Sequence, residues 1–184
     1  MKYSVSWLKN EIEQNKKVKY LFFWGHQPSK DGSITSSCFS QWWLSEFVVD
    51  GIKYKSAEHF MMASKARLFN DEETLKKILN CNKPAEAKKL GREVKNFNEE
   101  AWISKRYEIV LQASLNKFSQ NNELKEYLIR TSVVIVEASP VDSIWGIGMA
   151  KDHKDIENPE KWKGLNLLGF ALMEARDLLS TSHA

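Results

Sequence analysis

Residues 47–69 have the sequence FVVDGIKYKSAEHFMMASKARLF, and the order of local signals in this stretch decides the fold class. Two β-prone runs flank Asp50 and Gly51, and an Asp-Gly pair supplies the positive φ angles that a tight hairpin turn needs. Ser56 then caps a helix that we expect to run to about Phe69. A hairpin followed directly by a helix indicates a fold that mixes both kinds of element.

The remainder of the chain adds mostly helix. Hydrophobic periodicity predicts about seven helices and three or four strands, with strands near residues 20–24 and 132–137. Because strands and helices do not alternate regularly, a doubly wound parallel sheet is not expected. We therefore predict an α+β, helix-dominated single domain with a small β-sheet.

The composition excludes several classes of protein. The 184 residues are 42% hydrophobic and 28% charged, with a net charge of +3, which is typical of a globular protein. No apolar stretch approaches the roughly 20 residues that a membrane span requires, so we predict no membrane association. No signal-peptide core follows Met1, and Cys38 and Cys81 stand alone as expected of free thiols, so we predict a cytoplasmic location. The Cys and His residues lack the spacing of zinc ligands, and no Walker loop is present, so we predict no metal site and no cofactor.

Two ionisable side chains of the helix after Ser56 are candidates for chemistry. Residues seven apart in a helix differ by about 20° in direction, so Glu58 and Lys65 lie on one face, with Met61 and Met62 between them. Either both charged groups reach water, or this face lines a cleft and the two groups converge on a ligand. Spacing alone favours the first interpretation. His59 points elsewhere and is interpreted as a structural histidine.

Two glycine-containing segments follow the predicted strand near residues 132–137. The loop at residues 139–148 contains Asp142 and Trp145, and loops at the carboxyl ends of strands are common ligand sites. The alternative for this loop is a plain turn with a buried tryptophan. Asn166 opens the last helix, where it either caps the helix or contacts a ligand, and capping is favoured.

Aromatic residues are concentrated near the start of the chain. Residues 23–26 and 39–43 place aromatic rings beside polar groups, which suits either stacking on a heterocyclic base or packing in a core. Further on, Phe97 precedes the expected helix cap Asn98, and Trp102 follows it. This pattern is typical of a hydrophobic staple at a helix start.

Six segments together resemble the NADAR family, which includes the YbiA-like N-glycosidases. Each segment is a weak motif alone, but their occurrence in family order is specific. The segments are residues 23–26, 39–43, 54–66, 90–92, 139–146 and 166–169. The resemblance covers roughly residues 20 to 179. We therefore predict a NADAR/YbiA-like domain at residues 20–184, preceded by an N-terminal helical extension at residues 1–19.

The resemblance implies an enzyme, a glycosidase that hydrolyses N-glycosidic bonds. The implied substrates are phosphorylated ribosyl compounds: either riboflavin-biosynthesis intermediates such as ribosylamino-pyrimidinone 5′-phosphates, or ADP-ribosyl-guanine, including that of ADP-ribosylated nucleic acid. The alternative is a non-catalytic module that binds ADP-ribose or a related NAD metabolite. A general nucleic-acid-binding protein is a third class, but no RRM, OB or helix-turn-helix signature supports it.

The resemblance also implies roles for named residues. Catalytic roles fall to Glu58, Lys65 and Asp142, and Lys65 is expected to form a Schiff base with the ribose C1. Substrate-binding roles fall to Trp24, Gly25, His26, Gln41, Trp42, Arg92, Trp102, Trp145, Gly146 and Asn166. Many shorter members of the family carry Ser-Asn-Phe where this chain has Ser-Gln-Trp at residues 40–42, a segment expected to contact the leaving base.

Overall fold

Helices predominate, and every strand is only three or four residues long. The computed structural model describes residues 1–181, so the last three residues of the predicted domain lie outside the described residues. The helices are α1 (Val5–Glu13), α2 (Ala57–Leu68), α3 (Glu72–Asn80), α4 (Pro84–Arg92), α5 (Glu99–Ser119), α6 (Asn122–Arg130) and α7 (Leu167–Thr181). The strands are β1 (Tyr20–Phe23), β2 (Phe47–Val49), β3 (Ile52–Tyr54) and β4 (Val134–Glu137). The predicted helix-dominated α+β fold is confirmed.

Residues 41–122 form one compact unit, the continuous unit. Its strands β2 and β3 pair in antiparallel fashion, with Val49 opposite Ile52. Asp50 and Gly51 have φ angles of 50° and 75°, which is the backbone that the predicted Asp-Gly hairpin turn requires. The Ser56 hydroxyl accepts a hydrogen bond from the first turn of α2, as expected for a cap.

Helix α2 is the central element of the continuous unit. It packs against α3, α4 and α5. Eight of its twelve residues are buried, so this helix has no broad polar face of the kind that surface helices present. A charged residue on α2 is therefore placed among other elements of the unit and not on an open surface.

The other compact unit, the discontinuous unit, consists of residues 1–40 together with the chain from residue 123 onward. Its strands β1 and β4 pair in parallel, with Tyr20 opposite Val134. Helix α7 packs on β4. A Cβ atom at Gly169 would lie 2.1 Å from the carbonyl oxygen of Ile135, so glycine is needed for this helix and strand to approach so closely.

The predicted N-terminal extension contains α1, and the chain before it contacts α7. The Lys2 ammonium pairs with the Asp177 carboxylate, and the Tyr3 hydroxyl donates a hydrogen bond to the same group. None of the helices described within residues 1–181 is both long and apolar enough to span a membrane.

Candidate active site

The predicted site residues are divided between the two units. Those in the continuous unit are Gln41, Trp42, Glu58, Lys65, Arg92 and Trp102. Those in the discontinuous unit are Trp24, Gly25, His26, Asp142, Trp145, Gly146 and Asn166.

Glu58 lies in the first turn of α2 and is only 3% exposed. A helix N-terminus favours a negative charge, because the first backbone N–H groups point toward it. The backbone N–H of Glu58 donates a hydrogen bond to the carbonyl oxygen of Gln41 at 3.0 Å, which fixes the preceding segment against the start of the helix. The expectation from spacing alone that this carboxylate reaches water is therefore wrong.

Lys65 lies two turns further along α2, and its side chain is half-buried. Its Nζ donates a hydrogen bond of 2.7 Å to the carbonyl oxygen of Gly91. The same nitrogen lies 4.4 Å from the ring centroid of Phe97 and 5.7 Å from that of Trp102. The structure thus brings the predicted site residue Trp102 to Lys65, and the amine is held between a backbone acceptor and two aromatic rings.

Two features of the surroundings of Lys65 lower the pKa of its amine. Burial lowers the pKa of the Lys65 amine, and the positive charge of the exposed Arg92 lowers that pKa further. A neutral amine carries the lone pair that a nucleophile needs, so a lysine with a lowered pKa is suited to attack carbon. The predicted site residue Arg92 therefore acts on Lys65 through its charge.

The carbonyl group that binds Lys65 is placed there by a close contact between two helices. Gly91 is buried in the last turn of α4, where a Cβ atom would lie 1.9 Å from the Sδ atom of Met62 on α2. A larger residue at this position would force the Met62 side chain to move or the two helices to separate. The last carbonyl groups of a helix lack intrahelical partners, and the Lys65 amine satisfies the one on Gly91.

His59 is buried next to Glu58 on α2. Its Nδ1 atom lies 2.8 Å from the Ser56 hydroxyl, and burial lowers the pKa of its imidazole. A buried neutral histidine bound to the helix cap fits the structural role that was predicted for it.

Gln41 and Trp42 begin the segment that precedes the hairpin. Gln41 is buried, and its side-chain nitrogen lies 3.5 Å from the Sδ atom of Met61, on the face of α2 between Glu58 and Lys65. Trp42 is half-buried, with the Nζ atom of Lys88 5.7 Å from its ring centroid. Gln41 is thus packed against the face of α2 that carries the two ionisable groups.

In the discontinuous unit, Asn166 is fully buried and joins α7 to β4. Its Oδ1 atom accepts a hydrogen bond from the backbone N–H of Glu137, and its Nδ2 atom donates one to the carbonyl oxygen of Ile135, both at 3.0 Å. Its φ angle of 52° is in the left-handed region that asparagine tolerates better than most residues. The side chain therefore has a structural role, and contact with a substrate stays a prediction.

Asp142, Trp145 and Gly146 lie in the loop that follows β4. The Oδ1 atom of Asp142 accepts hydrogen bonds from the backbone N–H groups of Ile144 at 2.9 Å and Trp145 at 2.8 Å. A Cβ atom at Gly146 would lie 2.8 Å from the carbonyl oxygen of Glu137. These contacts shape the loop, and the catalytic role of Asp142 and the binding roles of Trp145 and Gly146 stay predictions.

The segment after β1 has a different character, because it is largely exposed. Trp24 is 60% exposed, and Gly25 has a φ angle of 88°. The Nε2 atom of His26 lies 3.2 Å from the side-chain nitrogen of Gln27. An exposed indole ring presents a surface on which a planar base can stack. The substrate-binding roles of Trp24, Gly25 and His26 stay predictions.

Two residues around Lys65 were missed by sequence reasoning. Gly91 was noted only as part of a matching motif, and Phe97 only as half of a hydrophobic staple. The local signal at Phe97 is its position before a helix cap, and this position does not indicate that its ring faces the Lys65 amine on α2. Within residues 1–181, no three His, Cys, Asp or Glu side chains lie close enough together to hold a metal ion.

Comparison with known proteins identifies the family of this chain. The family model of the NADAR domain matches residues 22–180. The N-glycosidase R617 of Acanthamoeba polyphaga mimivirus is 43% identical over 166 residues, which cover 86% of this chain and 95% of that protein. The N-glycosidase YbiA of Escherichia coli (strain K12) is 31% identical over 145 residues, which cover 78% of this chain and 80% of that protein.

The fold agrees with that of a solved relative. The NMR structure of the E. coli protein YbiA matches with a TM-score of 0.71 at 26% sequence identity, over 89% of this chain and 86% of that one. The predicted YbiA-like fold is thereby confirmed. Both of these relatives, R617 and YbiA, are named N-glycosidases, which confirms the predicted enzyme class, a glycosidase. The chain belongs to the NADAR family.

Proposed function

We propose that this chain hydrolyses the N-glycosidic bond of a phosphorylated ribosyl compound, with Glu58 and Lys65 as its catalytic residues. The observation that supports the proposal most is the presence, on one face of α2, of a buried carboxylate and a half-buried amine. Membership of the NADAR family and the named activity of the relatives support the same class of reaction.

The role of Glu58 follows from the charge that develops in the reaction. Cleavage of a bond between C1 of a ribose and a base nitrogen builds positive charge on the sugar, as in an oxocarbenium ion. A carboxylate held in a buried site stabilises such a charge more strongly than one in water. The same carboxylate can take a proton from an attacking water molecule or give one to the leaving base.

Lys65 supports a covalent route whose atoms balance. The neutral amine attacks C1, the bond from C1 to the base nitrogen breaks, and the base leaves with that electron pair and the proton that the amine loses. Opening of the ribose ring then moves a second proton from the amine nitrogen to the ring oxygen and leaves an imine between Lys65 and C1. Water hydrolyses the imine, which regenerates the amine and releases the sugar. Glu58 carries the protons.

Borohydride trapping tests the covalent route. Sodium borohydride reduces an imine to a stable secondary amine, so the peptide that contains Lys65 is expected to gain the mass of the reduced ribosyl part of the substrate, a ribose phosphate or ADP-ribose. The Lys65→Arg variant is the control, because a guanidinium group does not form an imine with C1. If the wild-type chain releases base and no adduct forms on Lys65, the covalent route is wrong and direct hydrolysis assisted by Glu58 accounts for the activity.

The substrate class is tested by direct incubation. We expect release of a base from ribosylamino-pyrimidinone 5′-phosphates or from ADP-ribosyl-guanine, either free or in ADP-ribosylated nucleic acid, and mass spectrometry of the mixture identifies the base. Turnover of one class and not the other assigns the substrate. Binding without turnover of either class would contradict the proposal and favour a non-catalytic module for ADP-ribose or a related NAD metabolite.

A matched pair of variants separates catalysis from folding. Glu58→Gln keeps the shape of the side chain and removes its charge, and we expect the turnover rate to fall by about 10²- to 10⁴-fold. Glu100→Gln is the control, because Glu100 also lies in the first turn of a helix but is exposed. Equal activity of the Glu58→Gln variant and the wild-type chain would contradict a catalytic role for Glu58.

A further inference from the structure

Phe97 lies in the loop between α4 and α5 and contacts the amine of Lys65 more closely than Trp102 does. Its ring centroid is 4.4 Å from the Lys65 Nζ atom, against 5.7 Å for Trp102. We propose that Phe97 is a positioning residue that fixes the direction of the Lys65 amine. The reaction that this amine performs rests on the proposed function. The contact between Phe97 and Lys65 does not depend on it.

A lysine side chain needs at least two contacts near its end to keep one direction. Its four methylene groups rotate readily, and a single hydrogen bond leaves the amine able to swing about the acceptor. Here the Gly91 carbonyl oxygen holds one N–H group at 2.7 Å, and the face of the Phe97 ring attracts the protonated form of the same amine through its π electrons. The two contacts together define where the amine lies.

The Phe97 ring is itself held in place. Its centroid lies 5.3 Å from that of the buried Phe69, with an edge-to-face angle of 65°. Two residues earlier, the backbone N–H of Lys95 donates a hydrogen bond of 2.8 Å to the Asp71 carboxylate, which also caps α3. The loop that carries Phe97 is therefore tied to the start of α3, and the ring to the end of α2.

The exposure of Phe97 also indicates a role other than core packing. The residue is 46% exposed, whereas its neighbour Phe69 is only 7% exposed. A phenyl ring that leaves nearly half its surface in water gains less free energy from burial than a core phenylalanine does. Its contacts with the amine and with Phe69 give this ring a fixed position beside a reactive group.

Nuclear magnetic resonance tests the contact independently of any activity. Protons next to the face of an aromatic ring are shifted upfield, so the Hε resonance of Lys65 is expected to be upfield, and its absence from the Lys65→Arg spectrum identifies it. Phe97→Tyr keeps the ring and is expected to keep the shift. Phe97→Leu keeps an apolar side chain without a ring and is expected to lose most of it. An unchanged Hε resonance in the Phe97→Leu variant would overturn the proposal.

Steady-state kinetics test the positioning role. Misplacement of one reacting group slows the chemical step, so we expect Phe97→Leu to lower kcat by about tenfold with little change in KM. Phe97→Tyr keeps the ring and is expected to keep the wild-type kcat. Ile103→Ala is the control, because Ile103 is an exposed apolar residue on α5 with no assigned role. A Phe97→Leu variant that loses the upfield shift but keeps the wild-type kcat would also overturn the proposal.

These two measurements separate the further inference from the proposed function. If the wild-type chain turns over no N-glycoside, the proposed function fails, and the Hε resonance still decides whether Phe97 fixes the amine. If the wild-type chain is active and the resonance does not depend on Phe97, the proposed function stands and the positioning role fails.

Discussion

Lys65 and Gly91 are joined by a hydrogen bond of 2.7 Å that links the last turn of α2 to the last turn of α4. The carbonyl end of a helix carries partial negative charge, so this contact attracts the protonated amine, while burial and the charge of Arg92 act in the opposite direction. The net result is a lowered pKa for a lysine that keeps a fixed partner.

Gly91→Ala is expected to destabilise the chain, because the new methyl group would overlap the Sδ atom of Met62 at 1.9 Å. Overpacking of this kind costs about 1 to 3 kcal/mol, which urea unfolding measures as a lower free energy of unfolding. Met62→Ala removes the overlapping atoms. The double variant should therefore lose less stability than the sum of the two single changes. Additive losses would show that the two residues do not compete for the same space.

The reactivity of Lys65 with an acylating reagent is expected to rise with pH through a midpoint below the value of about 10.4 that is typical of lysine. The reason is that only the neutral amine reacts, and burial lowers the pKa of this group. Arg92→Gln removes a nearby positive charge and should move the midpoint to higher pH. Lys89→Gln removes an exposed positive charge from the same helix and is the control. Mass spectrometry of the Lys65 peptide gives the midpoint, and an unchanged value in Arg92→Gln would contradict the expected effect of charge.

Asp71 is expected to make the stability of the chain sensitive to acid. Hydrogen bonds from the backbone N–H groups of Lys95 and Thr74 lower the pKa of Asp71 to about 2. Because this value is below the usual one of about 4, the contribution of the charged carboxylate is complete above pH 4 or so and is lost as the pH falls toward 2. The difference in unfolding free energy between wild type and Asp71→Asn should therefore shrink over this range. A difference that stays constant from neutral pH to about 2 would show that the charge of Asp71 does not stabilise the loop.

Asn166 is expected to be essential for the stability of the discontinuous unit. Asn166→Ala leaves the Glu137 N–H and the Ile135 carbonyl oxygen without their partner, at a cost of about 2 kcal/mol or more. Asn166→Gly loses the same bonds but accepts the φ angle of 52° more readily, so it should be less destabilised than the alanine variant. Thermal unfolding ranks the three chains. Equal midpoints for alanine and glycine would show that the backbone angle carries no strain.

Local signals predicted the elements of this fold well. The Asp-Gly turn, the Ser56 cap and the cap at Asn98 are set by residues close in sequence, and the structure has all three. The predicted strand near residues 132–137 is also present as β4, because a short β-branched run is a strong signal. These features depend on backbone angles and on contacts within one turn or hairpin.

The environment of the candidate site could not be predicted in the same way. Spacing placed Glu58 and Lys65 on one face of α2, but burial of Glu58 depends on the packing of α2 against three other helices. The ring of Phe97 lies beside Lys65 in a loop that is bonded to Asp71 and packed on Phe69, both distant from it in sequence. Contacts between residues distant in sequence decide these environments, and no periodicity in the sequence records them.

The parallel pair of β1 and β4 has a consequence for how the chain folds as it is made. More than one hundred residues separate the two strands, and the whole of the continuous unit lies between them in sequence. On the ribosome, β1 therefore emerges long before β4, the strand that completes its sheet. The continuous unit, in contrast, is one uninterrupted stretch of chain and can fold as soon as that stretch has emerged. The edge of β1 therefore stays unpaired through most of translation, and an unpaired edge is a template for pairing with other chains.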